Sequence, residues 1–354
     1  MIDSQTGLDK FLPQLKTGEI LAVDTEADSL HAYPEKLCLI QVSHPSADLL
    51  IDPLADLDLR PLLEVLQSKQ VILHGADYDL RLLHRTFQFV PAVIFDTMWA
   101  ARLLGFKEFG LQALVRDLLG VALEKGPQKA NWALRPLPAR MAAYALNDTR
   151  FLMPLAKILQ EQLAAKGRLE WFAEVCAKVI RESSRPREVD PDTIWRVKGS
   201  DRLDRPAMAI LRELWRWREL EARESNKPPY FVMSHEKLVA ISAAASQGRP
   251  VQDLMPPRFS AKRAGRLGVA LQHGLELPAS MHPRPRRSFA IRLTRPQQLE
   301  FDRLKEVRDR AAGELMIDPT LIASKAELLL LARNPSVESG ELMRWQRHLL
   351  RLSV

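Results

Sequence analysis

Residues Ile20 to Ser43 read ILAVDTEADSLHAYPEKLCLIQVS. The apolar run Ile20 to Val23 is a buried strand by pattern, and it ends in two acids, Asp24 and Glu26, one residue apart. Side chains alternate along a strand, so both carboxylates point to the same side. Two negative charges held together at the end of a buried strand repel unless a cation sits between them. An isolated D-x-E is more often a solvated strand end. Matching acids further along the chain outweigh that reading here.

Outward from this stretch, Leu37 to Val42 and Leu49 to Asp52 read as strands, the latter stopped by Pro53. With the first strand they suggest an antiparallel meander. A short helix within Met1 to Leu15 suits the sheet edge. Leu59 to Leu66 fits a helix, Val71 to His74 a strand, and Asp77 to Phe89 a helix with apolar residues at 80, 83 and 87. Val93 to Phe95 is a short strand ending in Asp96, and helical patterns continue over 97–104, 111–119 and 138–165.

At 354 residues, two or three domains are expected. The formal charge of +7 is uneven: residues 1–180 hold 19 Lys+Arg against 22 Asp+Glu, and the remainder 32 against 22. An acidic cation-binding half joined to a basic half that can meet a polyanion accounts for this asymmetry. Cys38 and Cys176 lie far apart in apolar settings, which argues against a disulfide framework or a cysteine metal site. No leader pattern and no membrane-length apolar run is seen, so a cytoplasmic protein without membrane contact is the expectation.

A second acidic group sits in Val71 to Leu83, VILHGADYDLRLL, where Asp77 suits an N-cap and Asp79 falls in the first helical turn. A third sits in Ala142 to Leu155, AAYALNDTRFLMPL. There Tyr144 and Asp148 are four apart, one above the other on a face that also carries Leu152 and Leu155. Asp24, Glu26, Asp79 and Asp148 together supply the hard oxygen ligands that two divalent cations, Mg²⁺ or Mn²⁺, require. Such a pair, about 3.5–4 Å apart, stabilises the attacking and leaving oxygens of an in-line displacement.

In their order, these motifs resemble the ribonuclease D family of the 3′→5′ exonuclease superfamily, with four acidic ligands and a tyrosine in the third motif. The resemblance covers about Ile20 to Leu155: Asp24-Thr25-Glu26 with Leu39-Ile40-Gln41, His74 with Asp79-Leu80, Asp96-Thr97, Trp132 with Arg135-Pro136-Leu137, and Tyr144 with Asp148. Asn131, where the family often has Asp, is a departure. The resemblance implies a ribonuclease-H-like α/β domain, a mixed sheet flanked by helices. It also implies that Asp24, Glu26 and Asp148 hold one metal, that Asp24 and Asp79 hold the other, and that Tyr144 orients the attacking water. A phenol with a pKa of about 10 is a poor general base at neutral pH, so positioning is its role. His74 reads as structural. Lys129, Trp132 and Arg135 are candidates for contacting substrate.

Charge, Pro and Ser mark 181–206 as a linker after an exonuclease domain over 1–180. Beyond it, strand signals cease. Leu211 to Pro250 resembles the HRDC-type helical domain shared by ribonuclease D and RecQ-type helicases, through Trp217-Arg218, Asn226 to Tyr230, and Ser234 with Leu238. This places one helical domain over 207–282 and a second, diverged one over 283–354, built of short helices broken at Asp318-Pro319 and Asn334-Pro335. Trp215 and Trp217 are candidates for base stacking, although alternate positions on a helix cannot both face solvent.

The expected activity is metal-dependent 3′→5′ exoribonucleolysis of single-stranded RNA 3′ ends, with tRNA precursors the family-like substrate. A DNA exonuclease of the same chemistry and a catalytically inactive nucleic-acid-binding scaffold are the alternatives. The scaffold predicts a missing acid, and all four are present.

Overall fold

The computed structural model describes residues 1–124, 126, 129–185, 190–256, 259–285, 293–334 and 342–352. Contacts divide the chain into two units. One comprises Met1–Ala27, Leu37–Arg185 and Ala290–Val354, the other Asp28–Lys36 and Pro186–Phe289.

In the first unit α1 (Gln5–Lys16) starts on Ser4, whose side chain accepts from the Gly7 N–H. Then come β1 (Ile20–Ala27), β2 (Leu37–His44) and β3 (Ala47–Ile51), the antiparallel meander that the sequence suggested. After α2 (Arg60–Gln67), strands β4 (Gln70–Leu73) and β5 (Val93–Asp96), separated by α3 (Asp77–Phe87), add in parallel, giving the order β3-β2-β1-β4-β5. β1 is the seam between the antiparallel and parallel halves. β4 pairs with it only over Ile20, Leu21 and Ala22, whereas β2 accompanies it to Ala27. The half of β1 that carries Asp24 and Glu26 therefore has one edge free of a neighbouring strand. α3 stops two residues short of the expected Phe89, because Gln88 adopts a left-handed conformation (φ 57°) and its N–H caps the His84 carbonyl.

The sheet is flanked by α4 (Thr97–Leu104), α5 (Leu111–Leu119), α6 (Ala139–Arg150), α7 (Leu152–Ala165) and α8 (Leu169–Ser183). The single helix expected over 138–165 is two. Pro154 has no N–H to return to the Arg150 carbonyl, and the chain turns at Phe151. β2 is buried along nearly its whole length. Cys38, Leu39 and Leu50 meet Trp132, Met141 and Ala145 in one cluster, and Leu21, Ile40 and Ile72 join Leu80, Leu152 and Leu155 in the other. Each such buried aliphatic side chain contributes about 1.5–3 kcal/mol, which anchors α6 and α7 against the sheet.

The second unit is helical: α9 (Arg205–Glu224), α10 (Pro229–Val232), α11 (His235–Ser246) and α12 (Ala261–Glu276). Its core holds Leu211, Leu214, Leu238, Ile241, Leu267 and Trp217. Trp217 is thus a core residue, and Trp215 packs partly buried against the same cluster. The stretch expected to be a surface linker behaves differently: α8 runs on to Ser183, and Trp195, 2% exposed, enters this core with Val197. An indole carries a large apolar area, and burying it here places Trp195 in the core.

The final segment contains α13 (Arg295–Leu315), α14 (Pro319–Ile322), α15 (Lys325–Arg333) and α16 (Arg344–Leu349). α13 is a long helix, not a short one. Asp318 does end the break before α14, as its N-cap; Pro335 lies outside the described residues. The segment repeats the construction of α9–α11 residue for residue. Arg218 donates to the Met233 carbonyl at 3.4 Å and Arg308 to the Ala323 carbonyl at 3.0 Å, the same number of residues further on. Asn226 and Met316 share a left-handed conformation, and Ser234 and Ser324 cap α11 and α15. Yet this copy groups with the sheet-bearing unit, not as a unit of its own. Leu304, Ile322 and Leu328 belong to the main core, and Trp345 stacks on Trp171 at 5.0 Å.

Candidate active site

Asp24 and Glu26 leave the end of β1 together, and Asp148 reaches them from α6. One carboxylate oxygen from each of the three lies within 4.8 Å of the others. Cross-strand register places Gln41 opposite Asp24, and its amide donates to Asp24 Oδ2 at 3.1 Å. Gln41 is fully buried, so this contact fixes the rotation of the carboxylate. One residue beyond Asp148, the Thr149 hydroxyl meets Ser43 Oγ at 2.7 Å, which pins α6 to β2 next to the acids.

Asp79 arrives by a different route. β4 ends at Leu73, and Gly75, with φ of 74°, turns the chain into α3. Buried Asp96 shapes this turn. Its carboxylate accepts from the N–H groups of Gly75 (3.0 Å), Ala76 (2.8 Å), Met98 (2.9 Å) and Trp99 (3.2 Å), so it caps α4 and braces the entry to α3 at once. Asp79 Oδ1 then accepts from the Thr25 N–H at 3.1 Å and the Thr25 hydroxyl at 2.5 Å, satisfying β1 where β4 no longer does. Ala76, not Asp77, precedes the helix; Asp77 points to solvent and pairs with Arg81.

Burial and mutual repulsion push these acids toward their protonated forms. Burial raises Glu26 to about 9, with Asp148 and Asp79 adding to it. Asp148 is raised to about 7, chiefly by burial, against a hydrogen bond from Tyr144. Asp79 is raised to about 6, the Thr25 donors opposing its burial, and Asp24 is also raised well above the carboxylate range. Four carboxylates that resist ionising together are matched to cationic charge, and their oxygen-only donor set fits Mg²⁺ or Mn²⁺.

Tyr144 forms part of the wall of the acidic cleft, whose volume is about 680 Å³ and which Tyr78, Glu108 and Gln112 also line. Its ring is held between two neighbours. Trp132 lies 6.2 Å away, and the Gly126 backbone approaches so closely that a β-carbon there would overlap the ring at 1.7 Å.

The three expected substrate contacts lie elsewhere. Trp132 is 1% exposed and backs Tyr144. Arg135 spends its guanidinium on both Asp52 oxygens (2.5 and 2.6 Å) and on the Trp132, Leu134 and Cys38 carbonyls. Lys129 is not among the residues lining the cleft. Asn131 accepts from the Ala133 N–H and shapes its own turn. In the sequence, Thr25, Gln41 and Asp96 stand out only as parts of the family motifs, without a role of their own, and Gly126 does not stand out at all. For Asp96 a signal existed, an Asp directly before an apolar helical pattern; for Gly126 there was none.

A mixed, helix-flanked sheet that presents four carboxylates and a phenol at its seam defines the class, a 3′→5′ exonuclease. A family profile described as 3′-5′ exonuclease matches residues 1–164, and one described as HRDC domain matches 207–249. Granulibacter bethesdensis ribonuclease D is 30% identical over 94% of this chain and 86% of its own length. The ribonuclease D of Gluconacetobacter diazotrophicus is 28% identical over 98% and 89%. The chain belongs to the ribonuclease D family of 3′→5′ exoribonucleases. The fold is shared with Escherichia coli RNase D, at TM-score 0.74 and 24% identity over 99% of this chain and 98% of that one. It is also similar to the catalytic core of RRP6 from Trypanosoma brucei, at TM-score 0.64 and 26% identity over 77% of each chain.

Proposed function

We propose that the chain trims single-stranded RNA 3′ ends, tRNA precursors among them, one nucleotide at a time and releases 5′-mononucleotides in the cytoplasm. The observation that carries this reading is the convergence of Asp24, Glu26, Asp79, Asp148 and Tyr144 on one cleft. Asp24, Glu26 and Asp148 would hold one divalent cation and Asp24 and Asp79 a second, and such a pair would acidify a water and neutralise charge at the scissile phosphate. The protein's part is positional. Gln41 and Thr25 fix the carboxylate oxygens. The Tyr144 hydroxyl, hydrogen-bonded to Asp148, orients the attacking water without serving as its base.

With Trp217 in the core, α10 offers the rings for gripping RNA. Tyr230 and Phe231 are 66% and 65% exposed, edge to face at 6.1 Å, and follow Lys227 closely in the chain. Exposed rings with nearby cations suit stacking on unpaired bases. The matching positions of the last segment are Thr320 and buried Leu321. That segment is a second, diverged HRDC-type copy that keeps the construction without the exposed rings.

The test is a 5′-labelled RNA with a free 3′ end, incubated with Mg²⁺ or Mn²⁺ beside a DNA strand of the same sequence. A ladder shortening by single nucleotides, absent with EDTA and in Asp148→Asn, is the expected result. Equal or faster shortening of DNA favours the DNA exonuclease. Tight, salt-sensitive binding of RNA with no shortening favours a binding scaffold.

A further inference from the structure

His74 is the one histidine lining the acidic cleft, and the proposed chemistry leaves it unused. It stands where β4 ends. Its Nδ1 lies 2.9 Å from the hydroxyl of Thr97, a fully buried residue whose Oγ1 is also 3.1 Å from the Leu73 carbonyl. A threonine hydroxyl has one proton. With that proton on the Leu73 carbonyl, which can only accept, His74 must donate from Nδ1, and Nε2 is left as a bare acceptor. Burial favours the neutral ring, drawing its pKa down to about 4.

Nε2 has no protein partner among the described residues. It is not part of the group formed by Asp24, Glu26 and Asp148, whose ligand oxygens lie within 4.8 Å of one another. The rest of the cleft holds the four acids and Glu108 as acceptors, with Thr25, Tyr78, Gln112 and Tyr144 as groups that can also donate. Since none of those donors is bonded to Nε2, this acceptor is open to a donor brought by the substrate. Donors on the bases change from one base to the next, but an RNA strand carries a 2′-hydroxyl on every nucleotide, and DNA has none.

We propose that His74 is the specificity-determining residue for sugar: its Nε2 accepts a hydrogen bond from the ribose 2′-hydroxyl of a nucleotide flanking the scissile phosphate. This rests on the exonuclease reading above and adds to it the means of telling RNA from DNA.

The test compares wild type, His74→Ala and His74→Gln on an oligoribonucleotide and on versions with a single 2′-deoxy sugar at the last or the penultimate position. Wild type should lose about tenfold in kcat/KM at one of these positions, the size of effect a buried, unpaired acceptor produces. His74→Ala should cut the all-ribose strand about tenfold more slowly and discriminate less than about twofold, while the Gln amide oxygen restores part of the difference. Unchanged discrimination in His74→Ala overturns the proposal, as does an equal loss on both strands, which would mark a structural role in the turn. So does a higher Mn²⁺ concentration for half-maximal thermal stabilisation of that variant, which would make the ring a metal ligand. If the variants do not fold, the ¹⁵N signal of Nε2 in the wild type decides. It should shift with a short oligoribonucleotide in EDTA and not with its 2′-deoxy counterpart; equal shifts overturn the proposal. A wild type that shortens no RNA with any metal removes the exonuclease reading instead, and the ¹⁵N comparison still tests the contact.

Discussion

Thr25 donates twice to a single oxygen of Asp79, from its backbone N–H at 3.1 Å and its hydroxyl at 2.5 Å. The middle residue of the D-x-E motif thereby ties the strand carrying two of the acids to the helix carrying the third. Thr25→Val keeps the shape and the N–H but removes the hydroxyl. A hydrogen bond to a charged group is worth about 1.5–3 kcal/mol, so kcat should fall about tenfold or more. Thermal titration with Mn²⁺ should show a higher midpoint; an unchanged midpoint would mean that the hydroxyl does not hold Asp79.

The acids set a pH dependence. In the unfolded chain they titrate at about 4, while in the fold Asp79, Asp148 and Glu26 are raised to about 6, 7 and 9. The folded state binds more protons across that window, so the metal-free protein loses stability as pH rises from about 4 to about 9. The melting temperature in EDTA should fall over this range, and the gain on adding Mg²⁺ should grow. Asp148→Asn should flatten the slope near pH 7.

Gly126 matters through Tyr144. A β-carbon at 1.7 Å from the ring forces the ring or the chain to move, so Gly126→Ala should lower kcat about tenfold with less than about a twofold change in KM. In a Tyr144→Phe background the same substitution should cost little more. Additive losses would show that Gly126 acts elsewhere.

Arg168 joins two helix ends. Its guanidinium donates to the Leu103 carbonyl at the end of α4 (2.6 Å) and the Leu315 carbonyl at the end of α13 (2.9 Å). Arg168→Ala leaves both acceptors short of a charged partner and should destabilise the first unit by about 2–4 kcal/mol in urea unfolding. KM for RNA should not change.

Removing the exposed rings of α10 addresses binding. Tyr230→Ala with Phe231→Ala should weaken RNA affinity about tenfold or more, given about 1–3 kcal/mol per stacked base. Trp217→Ala should lower the melting temperature first, because that ring is in the core.

The antiparallel meander, the boundaries of α4 and α5, and the cluster of acids were legible because each rests on local pattern: alternation, helical spacing, charge at a strand end. The single helix over 138–165 was misread because the apolar spacing continues straight through the break at Phe151. Trp195 was misread because a Pro- and charge-rich stretch gives no sign that one of its side chains is a core residue. Arg135 looked like a phosphate contact, since nothing local to it reveals Asp52 waiting across the fold.

By itself, the sequence determined which groups this protein brings to its chemistry, since four acids and a tyrosine stand in the order that the resemblance to the ribonuclease D family rests on. The tertiary structure decided how those groups are held. β4 stops short of the end of β1, so that Thr25 must turn to Asp79; Asp96 gathers two helix entries; Gly126 lies on Tyr144. These are contacts between segments distant in the chain, and no periodicity encodes them, because each exists only once packing has left a donor without a partner or a ring without room.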